Sequence, residues 1–326
     1  MKILIVNKGL LPVFYYGGTE RVIWGLGKEL TKLGHDVTFM VKRGSVCDFA
    51  KIIPIDEKRD IVSQIENEYD IVHFQFIPQH LNTFKLPFIV TMHGNANDYR
   101  MLEQNTVFVS QNHALRHGSE SFVHNGLDWN EYLKPTFLKK DYFHFLSKAA
   151  WRVKNVRGAI GLVKKTEKYH LKVMGGIRFN IEMGIRFTFT SKARFYGMVG
   201  GEKKFRIIDG SRGLVFPVLW HEPFGLSVIE SLYYGCPVFA TPYGSLPELV
   251  NPEVGFLSNK KDDLLEAIEN NQSFDSKLCH KYAVEYFNSL RMAKEYLQKY
   301  DIVLSGKKLN DNPPCLIKKE EKKILI

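Results

Sequence analysis

The chain has 326 residues, 44% of them hydrophobic and 25% charged, with a formal net charge of +10. That is enough chain for two domains of ordinary size, and too apolar a composition for a disordered polyelectrolyte. No apolar run reaches the ~20 residues of a membrane span, and the opening Met1-Lys2-Ile3-Leu4-Ile5-Val6-Asn7 reads as a strand, not a signal peptide.

The cysteines Cys47, Cys236, Cys279 and Cys315 are scattered, with no C-x-x-C pair. They predict free thiols in a reducing compartment, hence a cytoplasmic location, and argue against a metal or disulfide framework. The positive charge is concentrated. Residues 136–206 hold 17 Lys and Arg against 4 Asp and Glu, while the rest of the chain is nearly balanced. This predicts an anionic ligand, or peripheral contact with an anionic membrane, near that stretch; the plain alternative is a solvated basic face. Nucleic acid is not indicated, because neither zinc-finger spacing nor an aromatic RNP string accompanies the charge.

Taken in order, Lys2–Asn7 is a first strand. The loop Leu10–Tyr16 and the pair Gly17-Gly18 lead into a helix from about Glu20 to Leu33, whose Val22, Ile23, Leu26, Leu30 and Leu33 recur at helical spacing. Gly34 ends it, and Val37–Val41 is the next strand. Glycines at such a helix start let backbone N–H groups approach a phosphate, but without G-x-G-x-x-G a nicotinamide site is not supported. Asp70–Phe76 and Pro87–Met92 are continuous apolar runs, as expected of strands buried on both faces of a parallel sheet. His93 follows the second of these, where open α/β sheets bind ligands; His73, inside a strand, is expected to be a satisfied core or cleft-lining residue. Thr106–Ser110, a short helix Gln111–His117 and Ser121–Val123 complete this half, and Lys134-Pro135 reads as a linker.

The second half opens with the strand Tyr142–Leu146, a loop Ser147–Asn155 and a helix through Val156, Ala159, Ile160 and Val163. His170–Gly176 is a strand with a glycine turn. Gly176-Ile177-Arg178-Phe179 then recurs as Gly184-Ile185-Arg186-Phe187, which suggests hairpin-like aromatic-basic segments. Asp262–Asn270, Phe274–Asn288 and Leu290–Leu304 are amphipathic helices. The tail after Ser305, with Pro313-Pro314 and a charged Lys318–Lys323 run, is expected to be flexible.

One stretch carries the chemistry. His221-Glu222-Pro223-Phe224-Gly225-Leu226 is a tight loop that runs into a helix containing Glu230; Gly235 and Pro237 end that helix. Two carboxylates thus bracket a helix N-terminus, whose unpaired N–H groups and partial positive charge suit a phosphate. A diphosphate between two polyols, a sugar nucleotide, fits the layout. Glu222-Pro-Phe-Gly-Leu226, Glu230, Gly235-Cys-Pro-Val238 and Gly244-Ser-Leu-Pro-Glu-Leu-Val250, with Gly17-Gly18-Thr19-Glu20-Arg21 and Leu33-Gly34-His35-Asp36-Val37 upstream, resemble the retaining glycosyltransferases of family 4.

The resemblance implies an α/β GT-B fold, two Rossmann-like domains facing across a cleft. Residues 1–135, with a helix returning at about 290–304, would form the acceptor domain and residues 136–289 the donor nucleotide-sugar domain, with 305–326 as a tail. It implies that Glu222 orients the donor sugar, Glu230 holds the ribose, and the amides of Phe224, Gly225 and Leu226 face phosphate or sugar. Gly17 and Gly18 would close over the diphosphate, and His93 would line the reacting centre. Lys148 and Lys154 fall on two basic positions that grip the diphosphate, although the first is usually Arg and follows a glycine where this chain has Ser147. Lys lacks the bidentate fork of Arg.

The chain contains no D-x-D to hold a metal ion against a diphosphate. The resemblance implies transfer with retention and without a metal, with the nucleotide sugar as substrate and no cofactor, and the aromatic and apolar content of the loops Leu10–Tyr16 and Asn95–Gln104 points to a glycan or lipid-linked acceptor. A GT-B epimerase or phosphorylase, a non-catalytic GT-B scaffold and a membrane-surface binding protein are the alternatives.

Overall fold

The computed structural model describes residues 1–13, 17–96, 98–182, 185–318 and 323–326. Part of the Leu10–Tyr16 loop, Asn97, Gly184 of the quasi-repeat and part of the charged tail lie outside the described residues. The chain divides into two compact units, one of Met1–Val13, Gly17–Trp129 and Phe287–Lys319, the other built mainly of Asn130–Tyr286.

In the first unit, β1 (Lys2–Val6), β2 (Asp36–Val41), β3 (Lys51–Pro54), β4 (Ile71–Phe74), β5 (Phe88–Met92) and β6 (Thr106–Phe108) form one parallel sheet in the order β3-β2-β1-β4-β5-β6. The central strands are buried along nearly their whole length, which is why they read as unbroken apolar runs. Edge strand β3 escaped the sequence reading because it is half exposed and ends in Pro54, a residue that only an edge tolerates. Helix α1 (Gly18–Lys32) lays Val22, Ile23, Leu26 and Leu30 on the sheet. Gly27 lets it lie close: a Cβ there would fall 2.2 Å from Cζ of Phe39. Short helix α2 (Gln111–Leu115) is capped by the Ser110 side chain, which accepts from the His113 N–H.

The chain returns to this unit in the helix Ser289–Leu304, capped by Asn288 and packed against α1. Its Tyr300 and Tyr296 meet a fully buried network: His73 Nδ1 lies 2.8 Å from the Tyr300 hydroxyl, His73 Nε2 2.7 Å from Thr91 Oγ1, and Thr91 Oγ1 2.8 Å from the Tyr296 hydroxyl. His73 is therefore a satisfied core residue. Residues 310–317 of the expected flexible tail are instead bonded beside the sheet's edge strand. The carbonyl of Pro314 accepts from the Leu102 N–H at 2.7 Å, Cys315 and Ile317 donate to the carbonyls of His117 and Arg116, and Asn310 donates to the carbonyls of Gln104 and Thr106. Backbone pairing, invisible to composition, outweighs the polar sequence there. The units divide at Trp129 and Asn130, a few residues before Lys134-Pro135, because Tyr132 is drawn into the second core.

The second unit contains β7 (Tyr142–Leu146), α3 (Val156–Lys165), β8 (His170–Met174), β9 (Phe179–Asn180), β10 (Arg186–Phe187), β11 (Ala193–Phe195), α4 (Gly201–Asp209), β12 (Leu214–Phe216), α5 (Leu226–Tyr233), β13 (Val238–Ala240), α6 (Leu246–Leu249), β14 (Gly255–Leu257), α7 (Lys261–Glu269) and α8 (Ser276–Tyr286). Its parallel sheet runs β11-β8-β7-β12-β13-β14. The two copies of the quasi-repeat make a single hairpin, in which Phe179 of the first pairs with Phe187 of the second. Helix α4 and strand β14 were not anticipated: Gly200-Gly201 disguises the start of one, and the other is three residues long.

His144 lies inside β7, fully buried, with Ser211 Oγ 2.8 Å from Nδ1 and Ser231 Oγ 2.8 Å from Nε2. Burial pulls its pKa down to about 3, whereas an unfolded histidine titrates near 6.5. Above the unfolded value both states are neutral and His144 makes no difference. As pH falls below it, the unfolded chain takes up a proton that the folded chain refuses, so stability drops by about 1.4 kcal/mol per pH unit until the folded value is reached. Urea midpoints should therefore decline steadily between pH 6.5 and 4. An H144N variant, which keeps a hydrogen-bonding side chain without titrating there, should show a shallower decline.

Candidate active site

In parallel sheets of this kind, side chains beyond the carboxyl ends of the strands gather around a ligand. In the second unit the loops after β7 and β12 do this. The loop after β7 is bolted to the one after β12: the Leu219 N–H donates to the Val153 carbonyl at 2.7 Å, and Asn155 Nδ2 donates to the Pro217 carbonyl at 2.8 Å. Asn155 sits in the left-handed region at φ 55°, which Asn tolerates, and its side chain caps α3 by accepting from the Gly158 N–H. This anchoring carries Lys154 inward. Its ammonium donates to both carboxylate oxygens of Glu222, at 2.8 and 2.6 Å, while Trp220 Nε1 donates to Glu222 Oε2 at 2.8 Å. The ammonium also lies 4.6 Å from the centre of the Trp220 ring. Lys154 and Glu222 are both buried. Taking both charges out of water costs several kcal/mol per ion, and their close pairing, together with the Trp220 N–H, offsets that cost.

Helix α5 starts immediately after this cluster. Gly225 precedes it at φ 96°, a left-handed turn suited to glycine, and the Gly225 carbonyl accepts from the Val228 N–H. The first-turn amides of Leu226 and Ser227 have no acceptor within the helix, and the helix dipole places partial positive charge there. Phe224 is buried beneath the turn.

Glu230, one turn into α5, is also buried. Its Oε1 accepts from the Tyr132 hydroxyl at 2.8 Å and from the ammonium of Lys204 on α4. Neither partner was anticipated. Lys204 lay hidden in a helix that the sequence did not announce, and Tyr132 beside an expected linker. The sequence shows only a Lys beside an aromatic in the Lys203-Lys204-Phe205 string, and that pattern is too common to single it out. Y132F should cost about 1.5 kcal/mol, the worth of a hydrogen bond to a charged group, in equilibrium urea unfolding; Lys204 still neutralises the carboxylate in that variant.

Lys148 is placed apart from this pair. It is partly exposed, and its ammonium lies 3.5 Å from Glu182 in the hairpin region. Ser147 rests on Gly175, where a Cβ would meet the Ser147 carbonyl oxygen at 2.1 Å. The close approach of these two loops is thus kept by a glycine on the opposite strand end.

In the first unit, His93 follows β5 and its Nε2 lies 2.8 Å from Gln75 Oε1, after β4. Desolvation holds its pKa down to about 4, so the imidazole is neutral at ordinary pH. Gly17 and Gly18 start α1, and a Cβ on Gly17 would fall 2.7 Å from both Glu20 Oε2 and Val13 Cγ1. A hollow of about 430 Å³ also opens beyond the ends of β1 to β4, lined by Lys8, Lys42, Arg59 and Phe76 among others, with the Lys8 ammonium 4.4 Å from the Phe76 ring centre. Among the described residues, no group of three or more His, Cys, Asp or Glu is arranged to hold a metal ion, and no helix is long and apolar enough to cross a membrane.

Residues 128–283 match the family described as glycosyl transferases group 1. A 41.2 kDa protein in the cps region of Klebsiella pneumoniae is 28% identical over 113 residues, and the match spans 32% of this chain and 31% of that relative. Among solved structures, AviGT4, a glycosyltransferase involved in avilamycin A biosynthesis, superposes with a TM-score of 0.78 at 20% identity, covering 94% of this chain and 98% of that one. HepE of Anabaena, solved in complex with UDP-glucose, superposes with a TM-score of 0.64 at 14% identity, covering 94% and 100%. The two parallel six-stranded sheets and these likenesses give the chain the α/β GT-B fold of two Rossmann-like domains.

Proposed function

We propose, for a chain that carries a glycosyl transferases group 1 domain on the GT-B fold and is thereby a glycosyltransferase, that it moves a hexose from a nucleotide-sugar donor to a glycan or lipid-linked acceptor, with retention and without a metal ion. The observation that carries this reading is the buried Lys154–Glu222–Trp220 cluster set directly before the N-terminus of α5. An incoming diphosphate brings negative charge to that helix end and to the Lys154 ammonium, which has three donors and can bond phosphate and carboxylate together. As Lys154 turns to phosphate, Glu222 regains lone pairs with which to accept from sugar hydroxyls. The amides of Phe224, Gly225 and Leu226 face phosphate or sugar, and Lys148, beside Glu182 and apart from the Lys154–Glu222 pair, would have to leave that carboxylate to reach the diphosphate.

Glu230 already holds one oxygen against Lys204 and Tyr132, which fixes the carboxylate for a ribose diol. The cations and the helix end stabilise the departing diphosphate as its charge grows. A phosphate oxygen of the leaving group then takes the acceptor's proton on the same face. The resemblance assigns Gly17 and Gly18 to the diphosphate and His93 to the reacting carbon; within the first unit the two glycines offer close backbone approach and His93 is a neutral hydrogen-bonding group. The hollow of Lys8 and Phe76 suits an acceptor, since a sugar face can lie on the aromatic ring. UDP-glucose, bound by the structural neighbour HepE, is the first donor to try.

The test is product analysis in EDTA with a panel of labelled nucleotide sugars. Transfer or donor hydrolysis with retained anomeric configuration supports the reading. An epimer or a sugar phosphate would assign the site to an epimerase or a phosphorylase instead, and a chain that binds no nucleotide sugar would be a scaffold. The reading also places the protein in the cytoplasm, with a peripheral contact on an anionic membrane.

A further inference from the structure

The hairpin β9–β10 is built the wrong way round for a soluble protein. Along Ile177–Ile181 and Ile185–Phe189 the residues alternate strictly, as strand geometry requires, but the apolar side chains take the outer face. Ile177, Phe179, Ile181, Ile185, Phe187 and Phe189 are all exposed, Ile185 at 74% and Phe189 at 89%, whereas Arg186 and Thr188 between them are buried at 6% and 9%. A one-residue slip in register would invert this, so the arrangement is specified and has to be held in place.

It is held by the cations. Arg178 donates to the carbonyls of Thr188, Thr190 and Ala193, and Arg186 donates to the carbonyl of Ile177 with its guanidinium 5.2 Å from the Phe195 ring centre. Arg157 of α3 donates to the Ile185 carbonyl at 3.2 Å. The outward rings meet one another, with Phe179 and Phe187 centroids 5.8 Å apart and Phe187 and Phe189 4.0 Å apart. A contiguous exposed apolar patch of this kind marks an interaction surface.

Its surroundings indicate what covers it. The hairpin lies within the stretch that holds 17 Lys and Arg against 4 Asp and Glu, and Arg157, Lys164, Lys165, Lys168 and Arg194 of that stretch are exposed. Apolar side chains projecting from a thin ribbon, in a stretch of the chain rich in exposed cations, combine the two signals that peripheral attachment needs: insertion at the headgroup level and attraction to anionic lipid. We propose that the outer face of β9–β10 inserts into the interface of an anionic lipid bilayer and anchors the donor-binding domain there. This rests on the peripheral contact of the functional reading and gives it a place in the fold; vesicle binding is measured without donor or acceptor, so the attachment can fail while the sugar transfer stands, and the reverse.

The test is co-sedimentation of the full chain with vesicles of phosphatidylcholine alone and of two parts phosphatidylcholine to one part phosphatidylglycerol. The expected result is binding to the anionic vesicles only, weakened by salt, and at least about ten-fold weaker in F179S/F187S/F189S, given what burying three rings is worth. Those side chains are exposed, so the variant should stay folded, with only the small drop in melting temperature that losing the ring contacts brings. In F189W, tryptophan emission should shift to the blue on adding the anionic vesicles, beyond the change seen in wild type. Equal vesicle binding by wild type and the triple variant, or no binding by wild type, overturns the proposal. So does a concentration-dependent dimer that the triple substitution abolishes, since the face would then be an interface between copies of the chain.

Discussion

Glu222→Ala is expected to lower sugar transfer at least about ten-fold and to weaken the fold by about 3–5 kcal/mol, because it leaves the ammonium of Lys154 buried without its counter-charge. The two losses have separate origins. The first comes from the missing acceptor for the donor's hydroxyls; the second comes from Lys154, whose side chain is only 10% exposed beside the carboxylate. A double variant, Lys154→Met with Glu222→Gln, separates them. Both charges are gone, the amide oxygen still accepts from Trp220 Nε1, and the cluster has no unpaired ion, so most of the stability should return in urea unfolding. Transfer should not return, since the anion-binding ammonium is missing as well. Glu222→Ala with transfer rates within two-fold of wild type would reject the role given to this carboxylate, whatever its effect on stability.

Much of this fold is legible in the sequence, and the parts that are not share a physical cause. The central strands of both sheets are largely apolar runs, and α1 carries a one-sided apolar stripe, so local pattern and tertiary burial agree there, whereas α5 is buried on its polar side as well, at Glu230 and Ser231. The Glu222–Glu230 string was readable because glycine and proline mark its loop. What stayed hidden depends on partners remote in sequence. The pairing of Lys154 with Glu222 crosses 68 residues, and that of Lys204 with Glu230 joins two helices of which only one was foreseen. The docked tail rests on backbone carbonyls, which every sequence possesses equally. The hairpin's alternation was present in the sequence too, but alternation alone does not say which face is outside.

Gly244→Ala tests the same site from beneath. Gly244 sits at φ 71° and pairs with Glu222 in a parallel bridge, and the following residue, Ser245, donates its N–H to the Glu222 carbonyl at 2.9 Å. A Cβ on Gly244 would fall 2.2 Å from the Glu222 nitrogen and 2.3 Å from its carbonyl oxygen, both backbone atoms that no rotamer change can withdraw. The loop carrying Glu222 has to move by about an ångström, and a displacement of that size at a reacting centre can cost about 10²-fold in rate. The left-handed backbone adds about 1–2 kcal/mol of strain for any residue with a Cβ. Gly34→Ala is the matched control. Gly34 has φ 88°, yet a Cβ there would meet nothing within 4 Å, so it carries the strain without the clash. The expected outcome is a similar small drop in melting temperature from the strain in both variants, with a further drop and the large fall in kcat confined to Gly244→Ala. If Gly244→Ala turned over as fast as Gly34→Ala, the precise seat of Glu222 would be irrelevant to the chemistry, and the cluster around it would have to be read as packing.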